Sequence, residues 1–380
     1  MKIRILLSAL LVLLCLPLSG CWNYWGLDEM SIVTGMAIDK DEENGPYLLT
    51  LEIADTRKAS KDNNLNAQHI EAEGDTIFNA IRNAKRRLNN KLYGGHMKLV
   101  IISQQLAERE GVLPLLENLM RDGETRETLS VAIAQSKSAK EIMLSKTIES
   151  AIISYDVHQS IEEDSDTTAA TRYVPLYKAY SAIKAPGNTL VLPALHQAKN
   201  SNEQVIETNG IALFRSDRLI GWLSPEKTMY YLLFKDEVHG GAVSCRLNEN
   251  QATNTSLEIK KCKAKTDYRF HDRQLTVTLK VKIAMNLMEA NTPLDLRQAA
   301  ERARLEERIA AVLTERISDL FVEAQTVIGS DIFGLGNRIY KDNPSLWQEI
   351  EGDWDSIFKE AKLVVEIKVD LVNAGVLKGY

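Results

Sequence analysis

Metal-binding spacing is missing from this 380-residue chain. It has four cysteines and six histidines, but no C-x-x-C and no H-E-x-x-H, and the histidines are scattered. Zinc sites need donors at close, repeated intervals, so neither a metal nor any other cofactor is expected. No glycine-rich phosphate loop opens a helical stretch, which leaves nucleotide binding without support. No G-x-S-x-G elbow and no paired-acid motif stands out, so a hydrolase has nothing local to build on and no catalytic residue is assigned. After the first twenty residues no apolar run reaches the roughly 20 residues that span a bilayer. Cationic excess is lacking too: the formal net charge is −6, which argues against a nucleic-acid-binding surface.

What is present begins at the N-terminus. Lys2 and Arg4 precede an apolar run over residues 5–18, broken only by Ser8 and Pro17, and the run ends in Leu18-Ser19-Gly20-Cys21. The charge and length are those of a signal-peptide core, too short for a membrane span. Leu-Ser-Gly-Cys matches the bacterial lipobox, in which cleavage between Gly20 and Cys21 leaves Cys21 first and its thiol carries a diacylglyceryl group. Two acyl chains such as palmitate, at about 0.8 kcal/mol per buried methylene, anchor a protein stably where one chain does not. Lys2 and Arg4 leave with the signal segment, taking the net charge from −6 to −8. The mature chain is expected to be a folded body on a lipid tether. Trp22, Tyr24 and Trp25 follow the anchor and suit either the membrane interface or packing on the first domain.

Cys15 leaves with the signal segment, so Cys245 and Cys262 remain. They lie in strand-like runs at 242–247 and 257–265, and a hairpin there sets them roughly opposite each other. An extracytoplasmic location permits a disulfide between them; the alternative is two unpaired buried thiols.

Taken in order, residues 31–39 and 47–54 read as a hairpin joined by a polar turn. Residues 56–72 are polar and read as a loop between domains. A helix is expected over 75–93, because Ile77, Ile81, Ala84, Leu88 and Leu92 recur at three- and four-residue intervals before Gly94-Gly95. Arg82, Lys85, Arg86, Arg87 and Lys91 crowd its second half, either as a solvated face that complements the helix dipole or as a contact for anionic lipid headgroups. Strands at 97–103 and 128–135 alternate with helices at 104–110, 112–121, 139–144 and 147–161, an α/β module. Residues 173–183 are read as helical, and 189–199 as a strand that pairs with the first hairpin. Beyond 205 come strands at 210–215, 218–223, 242–247, 257–266 and 275–288, a helix at 225–234 and a last strand at 362–372. A long helix is expected at about 297–328, striped by Leu305, Ile309, Val312, Leu313, Ile317, Leu320, Phe321 and Ala324.

The expected fold is a mixed α+β and α/β multidomain protein. It has three small mixed sheets with helices, the C-terminal one largely antiparallel with one long helix. After the signal peptide at 1–20, residues 21–72 and 186–204 form a discontinuous N-terminal domain. Residues 73–185 form a middle α/β domain and 205–380 a C-terminal α+β domain.

A series of short motifs stands along the chain. They are Gly20-Cys21-Trp22-Asn23, Gly35-Met36-Ala37-Ile38-Asp39, Ile77-Phe78-Asn79-Ala80-Ile81-Arg82-Asn83, Leu92-Tyr93-Gly94-Gly95-His96-Met97 and Arg121-Asp122-Gly123-Glu124-Thr125-Arg126. Gly210-Ile211-Ala212-Leu213-Phe214 and Asp331-Ile332-Phe333-Gly334-Leu335-Gly336 follow, then Pro344 and Trp347. In that order, over nearly the whole length, the chain resembles the Ger(x)C spore-germination lipoproteins, the C subunit of nutrient germinant receptors. Asn23-Tyr24-Trp25 departs from the family, which usually carries Asp and a basic residue there; the departure touches only the tether. The resemblance implies three α/β-type domains at the outer face of the spore inner membrane. It implies a complex with a membrane-spanning A subunit and a transporter-like B subunit, and no enzymatic activity. His96, Arg121, Glu124 and Arg126 are the candidate partner surface, with turn stabilisation and an exposed charge network as the plainer reading. A competing function is a solute-binding lipoprotein of a membrane importer, a class that shares the lipobox but usually shows repeated βαβ lobes.

Overall fold

The computed structural model describes residues 3–5, 26–40, 45–55, 66–246, 255–290 and 298–373. β1 (Met30–Asp39) and β2 (Tyr47–Asp55) form the expected hairpin, and β3 (Asn66–Gly74) adds antiparallel to β2. α1 (Ile77–Lys85) is followed by β4 (Lys91–Tyr93) and β5 (Leu99–Ser103). α2 (Gln104–Arg109) and α3 (Leu113–Arg121) lead to β6 (Ser130–Ala134). α4 (Ala139–Met143), α5 (Ile153–Glu163) and α6 (Leu176–Lys184) lead to β7 (Val191–Asn200), with β8 (Glu203–Arg215) and β9 (Arg218–Leu223) after it. Among the described residues these strands make one nine-stranded sheet, ordered β3-β2-β1-β5-β6-β7-β8-β9, with β4 beside the start of β1.

The middle of that sheet is parallel: β1, β5, β6 and β7 are successive parallel neighbours. β5 and β6 are buried at every position, as strands covered on both faces must be. On one face Ala80, Leu106, Leu116 and Leu176 bring α1, α2, α3 and α6 into one core. On the other, Ile142, Val157 and Ile161 bring in α4 and α5.

Three expectations change here. Residues 66–72, read as loop, belong to β3, an edge strand whose side chains are half exposed and so carry little apolar signal. The helix expected over 75–93 stops at Lys85, and Leu92 lies in β4. The strand expected at 189–199 exists as β7, but it pairs with β6 and β8 and not with the first hairpin. β5 takes the position beside β1 instead. Strands of the expected N-terminal and middle domains therefore share one sheet.

α7 (Pro225–Lys235) leads into the second sheet, made of β10 (Ala242–Cys245), β11 (Thr255–His271) and β12 (Gln274–Glu289). α8 (Ala299–Glu323), α9 (Leu335–Asp342), α10 (Pro344–Ile350) and α11 (Trp354–Lys359) then precede β13 (Lys362–Asn373). The order is β10-β11-β12-β13, so the described strands make two sheets where three were expected. Asp272 and Arg273, both at positive φ, turn β11 into β12. The last strand closes the sheet parallel to β12. The expected stripe holds: Leu305, Ile309, Leu313, Ile317, Leu320 and Phe321 are buried, in one core with Val277, Leu279, Val281 and Ile283. Each such side chain contributes roughly 1.5–3 kcal/mol on burial, so this stripe outweighs the intrinsic propensity of α8. Trp347 and Trp354 meet edge to face at 5.4 Å inside the same core.

Candidate interaction surface

Gly20 and Cys21, with Trp22, Tyr24 and Trp25, lie outside the described residues. The described residues resume at Gly26, and a short turn at Leu27–Glu29 feeds β1. Asn90 Nδ2 donates to the Asp28 carbonyl at 2.9 Å, and Met30 pairs in parallel with Lys91. The chain thus arrives from its N-terminal segment beside the loop that follows α1.

The candidate partner residues come together only in part. Gly94-Gly95-His96 forms the bend between β4 and β5, closed by Met97 N donating to Gly94 O at 3.0 Å. The exposed His96 ring sits edge-on to Tyr93 at 5.9 Å, and its carbonyl accepts from Tyr155 Oη at 3.3 Å. Glu124 reaches the same bend, accepting from Lys91 Nζ at 2.7 Å and from Gly94 N at 3.4 Å. Burial pushes the Tyr155 phenol up, and the Arg126 cation pulls against it. Arg121 does not join, since its guanidinium turns back one helical turn to Glu117 at 3.7 Å.

A serine–histidine pair escaped the sequence reading, because its members are separated by 28 residues. Ser130 Oγ lies 2.7 Å from His158 Nδ1, and His158 Nε2 lies 3.7 Å from Glu162. The order of groups is that of a hydrolytic triad. Ser130, however, is 0% exposed and His158 is 8% exposed. Burial also depresses the His158 pKa, with Glu162 opposing and Lys98 reinforcing it. No carbonyl can approach a sealed Oγ, so the trio tethers α5 to β6.

The motif Asp331-Ile332-Phe333-Gly334-Leu335-Gly336 lies at the joint between the two sheets. The buried Asp331 carboxylate accepts from Gly336 N at 2.9 Å, and the Asp331 carbonyl accepts from Thr189 Oγ1 at 2.6 Å. Asn337 N donates to Gly187 O at 2.7 Å, and Asn337 Nδ2 to Pro186 O at 2.8 Å. Lys235 Nζ donates to the Phe333 carbonyl. Burial, then the Arg172 charge, brings Lys235 down to about 8, with Asp331 and Glu237 pulling the other way. Arg172 spans the joint, gripping Glu237 with Nε at 2.6 Å and Nη2 at 2.7 Å. The motif's two glycines, Gly334 and Gly336, sit in this joint, Gly334 at positive φ and Gly336 against the Trp347 ring. Their counterpart, Pro186-Gly187-Asn188-Thr189, was read only as a boundary.

Of the two readings of Cys245 and Cys262, the structure has the unpaired thiols. Cys245 and Cys262 are free thiols: Cys245 pairs with Thr255, and Cys262 with Ile283. Thr255 and Cys262 are about 23 Å apart along β11 at roughly 3.3 Å per residue, far beyond the reach of a disulfide. Near Cys245 an open cleft of about 1320 Å³ runs between α7, α8 and β11. One of its lining arginines is already engaged: Arg316 donates to Tyr230 Oη at 2.9 Å and to Ser244 O at 3.0 Å.

Two family models match the chain in succession. "Spore germination protein N-terminal domain" covers residues 23–197, and "Spore germination B3/GerAC like, C-terminal" covers 209–375. Spore germination protein KC of Bacillus subtilis (strain 168) is 22% identical, over 97% of this chain and 94% of its own length. Spore germination proteins B3 and A3 of the same organism are 22% and 23% identical, over 95% and 99% of this chain and 95% and 98% of theirs. The crystal structure of the GerBC protein superposes with a TM-score of 0.56 at 19% identity, covering 89% of this chain and 97% of that one, so the fold is shared. Matched in both halves, in sequence order, this chain belongs to the Ger(x)C family of spore germination proteins.

Proposed function

We propose that this protein is a non-catalytic, lipid-anchored subunit of a spore nutrient germinant receptor, held at the outer face of the spore inner membrane. It acts through contacts with integral membrane A and B subunits. The observation that carries this reading is the lipobox Leu18-Ser19-Gly20-Cys21 at the head of a chain whose remaining length matches spore germination domains. No helix among the described residues is long and apolar enough to cross a membrane, and acylated Cys21 supplies the attachment. The sealed Ser130 supports a role without turnover. The exposed bend at His96, with Glu124 and Arg126 beside it, is the surface we assign to a partner subunit.

The test is Cys21→Ala in the spore. The variant is expected to leave the membrane fraction and to slow nutrient-triggered germination, and mass spectrometry of the native chain is expected to find diacylglycerol on Cys21. Affinity capture from detergent-solubilised spore membrane is expected to recover A and B subunits. Tight calorimetric binding of an amino acid or sugar by the isolated chain would instead favour an importer's binding protein.

A further inference from the structure

We propose that the exposed face of α1, carrying Phe78, Arg82 and Arg86, lies against anionic phospholipid headgroups beside the acylated N-terminus. This deepens the lipid-anchor reading and rests on it for where the face is held.

Three observations converge. The first is composition: residues 82–91 hold Arg82, Lys85, Arg86, Arg87 and Lys91 and no acidic residue, in a chain of net charge −6. Some of these cations are occupied. Lys85 donates to Leu88 O at 2.9 Å, Arg87 to Glu71 O, and Lys91 to Glu124. Arg82 and Arg86 are exposed and form no ion pair among the described residues.

The second is an aromatic ring with no core to enter. Ile77, Ala80 and Ala84 take the buried side of α1, while Phe78 is 57% exposed on the other. Phe78, Arg82 and Arg86 recur every four residues and so share one stripe. The Arg82 guanidinium stacks over the Phe78 ring at 4.9 Å. An aromatic side chain beside cations is the pairing that suits a headgroup layer, with the ring at the hydrocarbon boundary and the charges on phosphate. Asp75 sits at the opposite end of the helix, so the cationic half is the half nearer the chain's arrival.

The third is reach. Asn90 holds the Asp28 carbonyl. Cys21 is seven residues before Asp28, a span of at most about 25 Å. Acyl chains on Cys21 therefore keep the end of α1 close to the bilayer, and the charge complements an anionic leaflet.

The test uses the chain from residue 21 onward with Cys21→Ser, so that lipidation plays no part, in co-sedimentation with phosphatidylcholine vesicles with and without phosphatidylglycerol. Binding is expected only with phosphatidylglycerol, and added salt is expected to weaken it. Each arginine is expected to account for about fivefold, so Arg82→Gln with Arg86→Gln lowers the partition coefficient roughly twenty-five-fold. Phe78→Ser is expected to lower it further, while Arg304→Gln on α8 leaves it unchanged. Circular dichroism melting checks that each variant is folded. Absence of binding to phosphatidylglycerol vesicles, or equal binding by the double variant, overturns the proposal. Loss of A and B subunit capture by a double variant with unaltered vesicle binding would assign the face to a protein. Failure of the anchor reading is a separate outcome, an unmodified Cys21 by mass spectrometry.

Discussion

Glu52 and Ile153 are 101 residues apart, yet Glu52 Oε1 accepts the Ile153 amide at 2.7 Å in the buried centre of the fold. The other carboxylate oxygen takes the Ser154 amide at 3.0 Å and the Thr34 hydroxyl at 2.7 Å. α5 has no side-chain cap of its own at Ile152, so a strand on the far side of the chain caps it. Asp39 adds to the cap of α4, accepting from Ala139 N at 2.7 Å and Lys140 N at 2.9 Å, while Ser138 Oγ takes Glu141 N at 3.1 Å. One hairpin thus supplies a carboxylate to both helix N-termini on this face, where negative charge meets the positive end of each helix dipole.

Replacing Glu52 by Gln keeps the shape but turns a donor group toward amides that need an acceptor. The expected loss is about 1–3 kcal/mol, and Glu52→Ala is expected to lose more because two buried amides lose their acceptor and the Thr34 hydroxyl keeps only the residue-52 carbonyl, at 3.2 Å. Urea unfolding followed by circular dichroism measures it; an unchanged midpoint for Glu52→Ala would falsify the capping role.

The joint between the sheets depends on missing side chains. Gly187 has φ +62°, and a Cβ there would stand 2.6 Å from the Gly336 carbonyl carbon and 2.7 Å from the Trp347 ring. Gly187→Ala is expected to cost about 1–3 kcal/mol by overpacking and to open the 186–189 segment to protease. Gly221→Ala, where a Cβ meets nothing within 4 Å, is the control and is expected to be neutral. Equal protease resistance in both variants would show that the joint tolerates the insertion.

Stability should be greatest in mildly alkaline solution. Burial and Arg172 bring Lys235 down to about 8, against the opposing pull of Asp331 and Glu237 and with a smaller push from Lys341. An unfolded lysine titrates near 10.4. Between about pH 8 and 10 the unfolded chain therefore holds more protons than the folded one, and stability rises with pH. Tyr231 works in reverse: burial lifts it to about 12, so above about pH 10 the unfolded phenol ionises first and stability falls. Urea midpoints taken across this range are expected to rise and then drop. Lys235→Met is expected to remove the rise and keep the drop, and a rise that survives in Lys235→Met would assign it to another group.

Cys245 and Cys262 should behave as slow, separate thiols. Burial raises Cys245, and burial with the Asp236 charge pushes Cys262 up to about 12, so little thiolate is present at pH 8. A thiol reagent is expected to react slowly with folded protein and with both cysteines after unfolding. A mass two hydrogens lower than that of the reduced chain would reveal a bond.

The legibility of the sequence followed the range of the interactions. The α8 stripe and the alternation along β12 were readable because burial there repeats with the local period. The pairing of β7 was not, because a buried parallel strand such as β6 looks equally apolar to any partner. β3 hid as a polar stretch because an edge strand buries little. Which of the two cysteine readings holds was a matter of register: Cys245 ends β10 opposite Thr255, so Cys262 falls far along the ladder. Of the candidate surface, the Gly94-Gly95-His96 bend was visible as a turn signal, whereas Arg121 was separated from it by the helix face it occupies. Glu52 and Ser130 gave no signal, since both depend on partners distant in sequence.

β1 is where the chain arrives from its N-terminal segment, and it is also an interior strand, with β2 on one side and β5 and β4 on the other. Any tension applied through the N-terminus is thus delivered along the axis of a central strand. Yielding requires two ladders to slide at once, whereas a strand at the rim could peel away one bond at a time. Under such a load the first sheet resists as a whole, and the load reaches the helices that Asp39 and Glu52 hold before it reaches the second sheet.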